Sequence, residues 1–237
     1  MSSQSLVGQE PATQSTVASD AAVSGGGARR GWAWVGVAAG VTSIAGIQLS
    51  MSLSPIYDEA NPLTAESVVA HLAGRIPQLL AFHVVTVVAA LLVLVFAAGL
   101  KRRLDAQAPA GSLLPALAGT GLTIVSVMML LGTGLNTEFT FGLAQPELLV
   151  ASDVSFYSHW IATIEWLWVT AGVSAVAVGL AALRGAAPKW LGVVSLVLGV
   201  LTTLVGISPM QYLAGFTGPV WLLVAALGFA LGDRRRG

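Results

Sequence analysis

The sequence predicts an all-α polytopic membrane protein, a bundle of six transmembrane helices. Of the 237 residues, 55% are hydrophobic and only 9% are charged, whereas a soluble domain carries about 25% charged residues. Six apolar stretches follow residue 31, and each is long enough to cross ~30 Å of hydrocarbon as a helix. The alternating pattern of a membrane barrel is absent. Helices are then the structure that satisfies the backbone in lipid.

The six predicted spans divide the chain into a tail and one transmembrane domain. Residues 1–28 are rich in Ser, Gln, Thr, Ala and Gly, which predicts a disordered cytoplasmic tail. We do not expect a secretory signal peptide, because no charged segment precedes a short apolar core. The transmembrane domain is predicted to cover residues 29–237. Its expected spans are Trp32–Leu53, Gln78–Leu100, Ser112–Leu135, His159–Leu183, Trp190–Ile207 and Leu213–Leu231.

The basic residues predict that both termini lie in the cytoplasm. Ten of the eleven precede span one, follow span two, separate spans four and five, or follow span six. An even number of spans separates these segments, so all ten fall on one side, and Arg75 alone falls on the other. Cytoplasmic loops are the ones that carry excess Lys and Arg. We therefore expect a multi-pass protein of a bacterial cytoplasmic (inner) membrane.

The composition also limits the chemistry. The formal net charge is zero, so no basic field attracts nucleic acid. Cysteine is absent, which excludes disulfides, thiolate nucleophiles and iron–sulfur clusters. No G-x-x-x-x-G-K-[ST] loop is present, so we expect no use of ATP. The expected partners are the lipid bilayer and a lipophilic ligand.

Polar side chains at similar depth in four spans predict a site near the outer end of the bundle. Glu165 is expected about six residues inside span four, about 9 Å deep, and a carboxylate inside a membrane commonly marks a functional site. His83 falls at a similar depth in span two. The remaining candidates are Gln48 in span one, Glu138 and His159 at the ends of spans three and four, Trp166 beside Glu165, and Arg75.

These candidates leave several functions open. The first is a pocket, open to the outer leaflet, that binds a small lipophilic or amphiphilic molecule. The second is an intramembrane enzyme in which Glu165, Glu138 and His83 act as acid and base on a lipid-like or isoprenoid substrate. The third is a structural subunit whose charges serve only assembly. In a purely structural role, Glu165 and His83 would satisfy each other or cap an interhelical contact, with no ligand. A small transporter is disfavoured, because the inner halves of the spans carry almost no polar groups.

Metal and haem binding have weaker support. His83 and His159 are chemically suitable ligands, but no local spacing motif links them. His159 and Glu165 are six residues apart, which places them about 120° apart around a helix. We therefore predict no cofactor, with these two histidines as the candidates if a metal or haem is bound.

Small residues and one cap predict local contacts. Gly36 and Gly40 form a G-x-x-x-G pattern, and Ala171, Ala175 and Gly179 form a second small-residue row. Such rows let helices approach closely in lipid; we predict packing within the chain, with a homo-oligomer face as the alternative. In the loop after span one, Thr64 resembles an N-cap, which predicts a short interfacial helix over residues 65–74.

The second half of the chain resembles a known group of proteins. The segments E-W-L-W (Glu165–Trp168) and P-K-W-L-G-V (Pro188–Val193) are joined by a basic inner loop and followed by a Gly-rich span. This arrangement is similar to small six-span bacterial membrane proteins grouped as a domain of unknown function. The resemblance covers residues 155–205. It implies a fold and supplies no mechanism.

Overall fold

The computed structural model describes residues 31–54 and 62–232, and within these ranges the chain is helical and has no strand. The helices are α1 (Gly31–Leu53), α2 (Ala65–Ala73), α3 (Ile76–Asp105), α4 (Leu114–Gly132), α5 (Asn136–Gly142), α6 (Ala151–Ile164), α7 (Val169–Leu183), α8 (Lys189–Ile207) and α9 (Ala214–Gly232). Short 3₁₀ turns cover Pro146–Leu148 and Gln211–Leu213. The predicted tail and the basic residues at both termini lie outside the described residues.

Within the described residues, six segments are long and apolar enough to cross a membrane. They are Gly31–Leu53, Ile76–Asp105, Leu114–Gly142, Ala151–Leu183, Lys189–Ile207 and Gln211–Gly232. Their apolar side chains lie on the outside of the bundle as well as in its interior. This distribution is expected where lipid surrounds the protein. The predicted fold class, an all-α six-helix transmembrane bundle, is confirmed.

The fourth span differs from its prediction in two ways. Helix α6 begins at Ala151, eight residues before the expected start at His159. The span is also interrupted, because α6 ends at Ile164 and α7 begins at Val169. The early start has a tertiary cause: the first turns of α6 pack against α2, a contact that hydropathy does not report. Glu165 therefore lies at a break between two half-helices.

The predicted interfacial helix is α2, and its N-terminus carries a capping box. Thr64 Oγ1 accepts a hydrogen bond from the backbone N–H of Ser67 at 3.1 Å, and Ser67 Oγ accepts one from the Thr64 N–H at 3.0 Å. Two backbone donors that the helix itself leaves unpaired are thereby satisfied. The helix buries Val68 and Leu72, and this apolar face fixes it against α6.

Helices α7 and α8 pack closely along four glycines, which we call the glycine seam: Gly172, Gly179, Gly192 and Gly199. A Cβ atom at Gly199 would lie 2.8 Å from Ala175 Cβ, and one at Gly192 would lie 2.7 Å from Ala182 Cβ. No larger side chain fits between backbones this close. The predicted row Ala171, Ala175 and Gly179 is thus largely used inside the chain.

The predicted G-x-x-x-G pattern of α1 is also used within the chain. Gly36 lies against the ring of Phe96 on α3, and a Cβ atom at Gly40 would lie 2.8 Å from Leu223 Cβ on α9. Both glycines therefore serve intramolecular packing, as predicted.

The buried apolar side chains form two separate cores. The first unites the end of α1 with α2, α5 and α6, and includes Leu53, Leu72 and Tyr157. The second fills the remainder of the bundle around Phe96 and Trp168. Between the two cores, at the middle of α1 and α3, lies a layer of buried polar side chains. That layer contains Glu165.

Candidate functional site

The break in the fourth span has its own set of hydrogen bonds. In a continuous helix, the Glu165 carbonyl would accept the backbone N–H of Val169. Here it accepts the indole Nε1–H of Trp168 at 3.0 Å. One turn earlier, the Ile161 carbonyl accepts the hydroxyl of Ser50 on α1 at 2.9 Å. Two carbonyls near the break therefore have side-chain partners, as an apolar environment requires.

Two glycines of α9 make room for the tryptophans of the break. A Cβ atom at Gly215 would lie 2.7 Å from Trp166 Cε3, and one at Gly218 would lie 2.6 Å from Trp168 Cβ. Trp166 also packs edge-on against Phe216, with ring centroids 4.8 Å apart. Both indoles are buried. The break is therefore held in place by α9 and is a specific structural feature of this bundle.

Glu165 is the centre of the polar layer. Its side chain is 1% exposed, and within the described residues neither carboxylate oxygen has a hydrogen-bond partner. A Cβ atom at Gly46 would lie 3.1 Å from Glu165 Oε2 and 3.5 Å from Thr86 Oγ1. The carboxylate thus occupies space that a side chain at position 46 would fill. Thr86 Oγ1 lies beside it, without the geometry of a formed hydrogen bond.

Ser43 on α1 and His83 on α3 each extend this layer by about one helical turn. Ser43 precedes Gly46 by three residues on α1, and His83 precedes Thr86 by three residues on α3, so each pair shares a helix face. Ser43 Oγ, Thr86 Oγ1 and His83 Nδ1 are buried and have no hydrogen-bond partner in the part of the chain that is described. We call Ser43, Gly46, His83, Thr86 and Glu165 the Glu165 cluster.

Native structures pair nearly all of their buried polar atoms. Five unpaired atoms from three spans in one layer are therefore a strong local signal. A buried acceptor without a partner costs about 1–3 kcal/mol, and more when it is charged. The direct Glu165–His83 hydrogen bond expected for a purely structural pair is not formed.

Four predicted site residues lie outside this cluster: Gln48, Glu138, His159 and Arg75. Gln48, Glu138 and His159 all have exposed side chains. Gln48 is two residues from Gly46, which turns it about 200° away around α1. Glu138 lies on α5, beyond the end of α4. Of the seven predicted ligand residues, the structure therefore brings together Glu165 and His83, with Trp166 adjacent in the break.

Arg75 pairs with a backbone carbonyl. Its Nη1 donates to the His71 carbonyl at 3.0 Å, and the one salt bridge found between described residues joins Lys101 to Asp105. Among the described residues, Arg75 makes no salt bridge with Glu138 or Asp153. The His71 Nε2 atom lies 3.2 Å from the Leu53 carbonyl. This contact fastens α2 to the end of α1.

His159 lines a different space. A cavity of about 180 Å³ lies between the start of α2 and the middle of α6, lined by Leu63, Thr64, Ala65, Val68, Ser155, Ser158 and His159. Glu165 does not line it. The cavity sits at the end of the bundle that is predicted to be outer. Its lining residue nearest to Glu165 in the chain, His159, precedes Glu165 by six residues, about 9 Å along a helix axis.

A second set of buried polar side chains lies between α5 and α6. Tyr157 donates to Asn136 Oδ1 at 3.0 Å, and its ring stacks on Phe139 with centroids 4.4 Å apart. Among the described side chains, nothing bonds to Asn136 Nδ2 or Thr140 Oγ1. Tyr157 precedes Glu165 by eight residues, about 12 Å along the helix axis. Buried polar groups thus occur along α6 from its middle to the break.

Sequence reasoning missed Ser43, Gly46 and Thr86. A signal for them exists in the helical spacing. His83 and Thr86 are separated by three residues, and Ser43 and Ser50 by seven, so each pair shares one face of its helix. Serine and threonine are common in apolar helices, however, because their hydroxyls bond to the preceding carbonyls. Only the tertiary structure distinguishes the unpaired Thr86 from Thr123, which donates to the Gly119 carbonyl.

The donor set does not favour a multivalent metal. No group of three or more His, Asp or Glu side chains capable of holding a metal ion occurs in residues 31–54 and 62–232. His83 lies in the buried polar layer, whereas His159 lines the cavity between α2 and α6. The two histidines therefore belong to different places in the bundle.

No family model, curated protein or solved structure matches the chain. The resemblance of residues 155–205 to six-span bacterial proteins stays a prediction.

Proposed function

We propose that this chain is an integral protein of a bacterial cytoplasmic membrane that binds a small amphiphilic molecule at the Glu165 cluster. The observation that carries the proposal is the buried Glu165 carboxylate. Its two oxygens, like the polar atoms beside it, have no partner among the described residues. A protein that used these residues only for folding would gain stability by pairing them. Leaving them unpaired is favourable when a ligand completes the set.

The molecule is proposed to enter from the end of the bundle that carries α2 and α5. The cavity lined by Ser155, Ser158 and His159 lies at that end, and buried polar groups follow α6 from there towards Glu165. On the other side of the layer, α1 and α3 meet through Trp32 and Phe96, whose rings stack 5.4 Å apart. Aromatic packing of this kind closes the route to the opposite end.

Both termini are proposed to be cytoplasmic, which places the cavity on the outer side. The absence of cysteine allows a direct test. A single cysteine is introduced either at Ala110, exposed between α3 and α4, or at Ala144, exposed between α5 and α6. A membrane-impermeant maleimide added to intact cells should label Ala144→Cys and spare Ala110→Cys. Labelling in the reverse order would overturn the orientation.

The binding proposal is tested by mass spectrometry of small molecules released from the detergent-purified protein. Wild type is compared with Glu165→Gln and with Glu147→Gln, a matched change of an exposed carboxylate on the turn after α5. We expect a compound present in wild type and in Glu147→Gln and depleted in Glu165→Gln. Identical, empty extracts from all three proteins would contradict ligand binding and favour a structural role.

A small transporter is the second candidate, and the interrupted fourth span favours it. Many transporters bind substrate where a transmembrane helix is broken, and here the break carries the buried carboxylate. Uptake into proteoliposomes that depends on Glu165 would select this function. An enzyme would instead show turnover of a lipid-like substrate. Its acid and base would be Glu165 and His83, because the exposed Glu138 lies outside the cluster.

A further inference from the structure

The charge of Glu165 needs a partner that the described side chains do not supply. The carboxyl group is 1% exposed and makes no salt bridge. The described basic residues lie at helix ends: Lys101 pairs with Asp105, and Arg75 bonds to the His71 carbonyl. Moving an ionised carboxylate out of water costs several kcal/mol unless an opposite charge accompanies it.

The surrounding atoms suit a positively charged ligand. Three nearby atoms can accept hydrogen bonds or donate lone pairs: Ser43 Oγ, Thr86 Oγ1 and His83 Nδ1. None of them has a partner among the described residues. Helix α6 also ends at Ile164, which places the negative end of a helix dipole beside the carboxylate. An anionic head group would be repelled by both features.

The site also includes a helix, α1, that takes no part in the most extensive helix pairings. Those pairings are α7 with α8, α3 with α4, and α4 with α7. Helix α1 contributes Ser43 and Gly46. It approaches the backbone of α9 closely at Gly40 and meets α3 through a side chain at Gly36, which lies against Phe96. Separation of α1 from α3 would open the layer without breaking the glycine seam.

We infer that the ligand of the Glu165 cluster carries the positive charge that neutralises Glu165, either as a protonated amine or as an alkali-metal ion. The inference rests on the proposed function, and it names the chemical class of the ligand. An ammonium head group offers three N–H donors to the carboxylate, to Thr86 and to Ser43 or His83. An alkali-metal ion would use the oxygen atoms of the same residues.

The test is thermal unfolding of the purified full-length protein. Tetramethylammonium chloride keeps the ionic strength constant, because its cation is bulky and has no N–H donors. Sodium chloride, octylammonium chloride and octanol are titrated separately, because a ligand that binds only the folded state raises the melting temperature. We expect a saturable rise with octylammonium or with sodium, and the arm that responds identifies the source of the charge. Octanol, which has the same chain without the charge, should give no saturable rise.

Variants test whether the rise in melting temperature comes from binding at the Glu165 cluster. Glu165→Gln should weaken the apparent affinity for the responding cation at least tenfold, whereas Glu147→Gln should leave it unchanged. Thr86→Val keeps the shape of the side chain and removes the hydroxyl; we expect a loss of several-fold. This variant keeps the inference testable if Glu165→Gln fails to fold.

Other outcomes separate the inference from the proposed function. A response to octanol that Thr86→Val weakens would keep ligand binding and overturn the positive charge. If no compound produces a response, and Glu165→Gln is as stable as wild type, a proton neutralises the carboxyl group and the inference is wrong. An empty mass-spectrometry extract in the same samples would then remove the proposed function as well.

Discussion

The Glu165 cluster and the glycine seam lie in the same bundle, but they differ in whether their buried polar atoms form hydrogen bonds. Around the seam, the hydroxyls find partners: Trp221 Nε1 donates to Ser195 Oγ at 3.0 Å, and Thr202 donates to Thr217 at 2.7 Å. In the cluster, buried atoms of Ser43, His83, Thr86 and Glu165 have none among the described residues. Similar residue types in similar helices therefore have different roles.

The two regions also differ in the groups that their helices bring together. At the seam, glycines bring α7 and α8 so near that backbone and side chain meet directly, and Thr203 Oγ1 there donates to the Gly199 carbonyl at 2.8 Å. At the cluster, a Cβ atom at Gly46 would lie 3.1 Å from Glu165 Oε2. The short polar side chains of Ser43 and Thr86 nevertheless have no hydrogen-bond partner among the described residues. The seam thus holds the fold together, and the cluster leaves polar groups free to bind another molecule.

The largest expected effect is a charge change at Glu165. Glu165→Lys places an ammonium group on a longer side chain in the same buried layer, and Lys near the centre of a membrane helix costs about 2.5–3.5 kcal/mol. Glu165→Gln keeps the size without a charge and should cost much less. Detergent-solubilised yield and melting temperature would measure both. Equal values for the two variants would mean that position 165 is not buried.

The next effect tests the seam. Gly199→Val adds atoms where a Cβ alone would lie 2.8 Å from Ala175 Cβ and from the Val176 nitrogen. Overpacking of this kind costs about 1–3 kcal/mol, and we expect a clearly lowered melting temperature. Gly74→Ala is the control, because its Cβ would meet nothing closer than 3.7 Å. A tolerated Gly199→Val would show that α7 and α8 are not closely packed.

A smaller effect compares hydroxyls from the two regions directly. Ser195→Ala removes the acceptor of the buried Trp221 indole N–H and should destabilise the protein by about 1 kcal/mol. Thr86→Val removes a hydroxyl that has no partner among the described residues, so the ligand-free protein should lose no stability. Urea unfolding of both variants measures the difference. Equal destabilisation would show that Thr86 has a structural partner in solution.

The smallest effect is a dependence on pH at the link between α2 and α1, outside the six membrane-crossing segments. Burial and the nearby Arg75 lower the pKa of His71 below its ordinary value of 6.5, although the Leu53 carbonyl opposes this shift. The unfolded chain therefore binds the proton at a higher pH than the folded protein does. Stability should fall as the pH drops below about 6.5.

The measurement for His71 is the melting temperature of wild type and His71→Gln between pH 5 and pH 8. Glutamine can still donate to the Leu53 carbonyl and does not titrate. We expect a shallower pH dependence for the variant. Parallel curves for the two proteins would assign the titration to another group.

The composition and the hydropathy pattern alone determined the membrane fold. Six apolar stretches in a chain with 9% charged residues are sufficient, because lipid leaves the helix as the available structure for each stretch. The start of α2 at Ala65 also depends on neighbouring residues alone, because Thr64 and Ser67 exchange hydrogen bonds within one turn. Glu165 was identified by its own depth in an apolar segment, which needs no knowledge of neighbours.

Only the tertiary structure decided which residues accompany Glu165 and where the fourth span breaks. The break depends on the Trp168 indole, which bonds to the Glu165 carbonyl, and on Gly215 and Gly218 of α9, which make room for the tryptophans. Gln48 was expected in the site and faces outward, whereas Gly46 and Thr86 border the carboxylate. Hydropathy measures the depth of a residue along its helix. The direction in which it faces depends on how the helices are rotated against one another, and packing between distant segments sets that rotation.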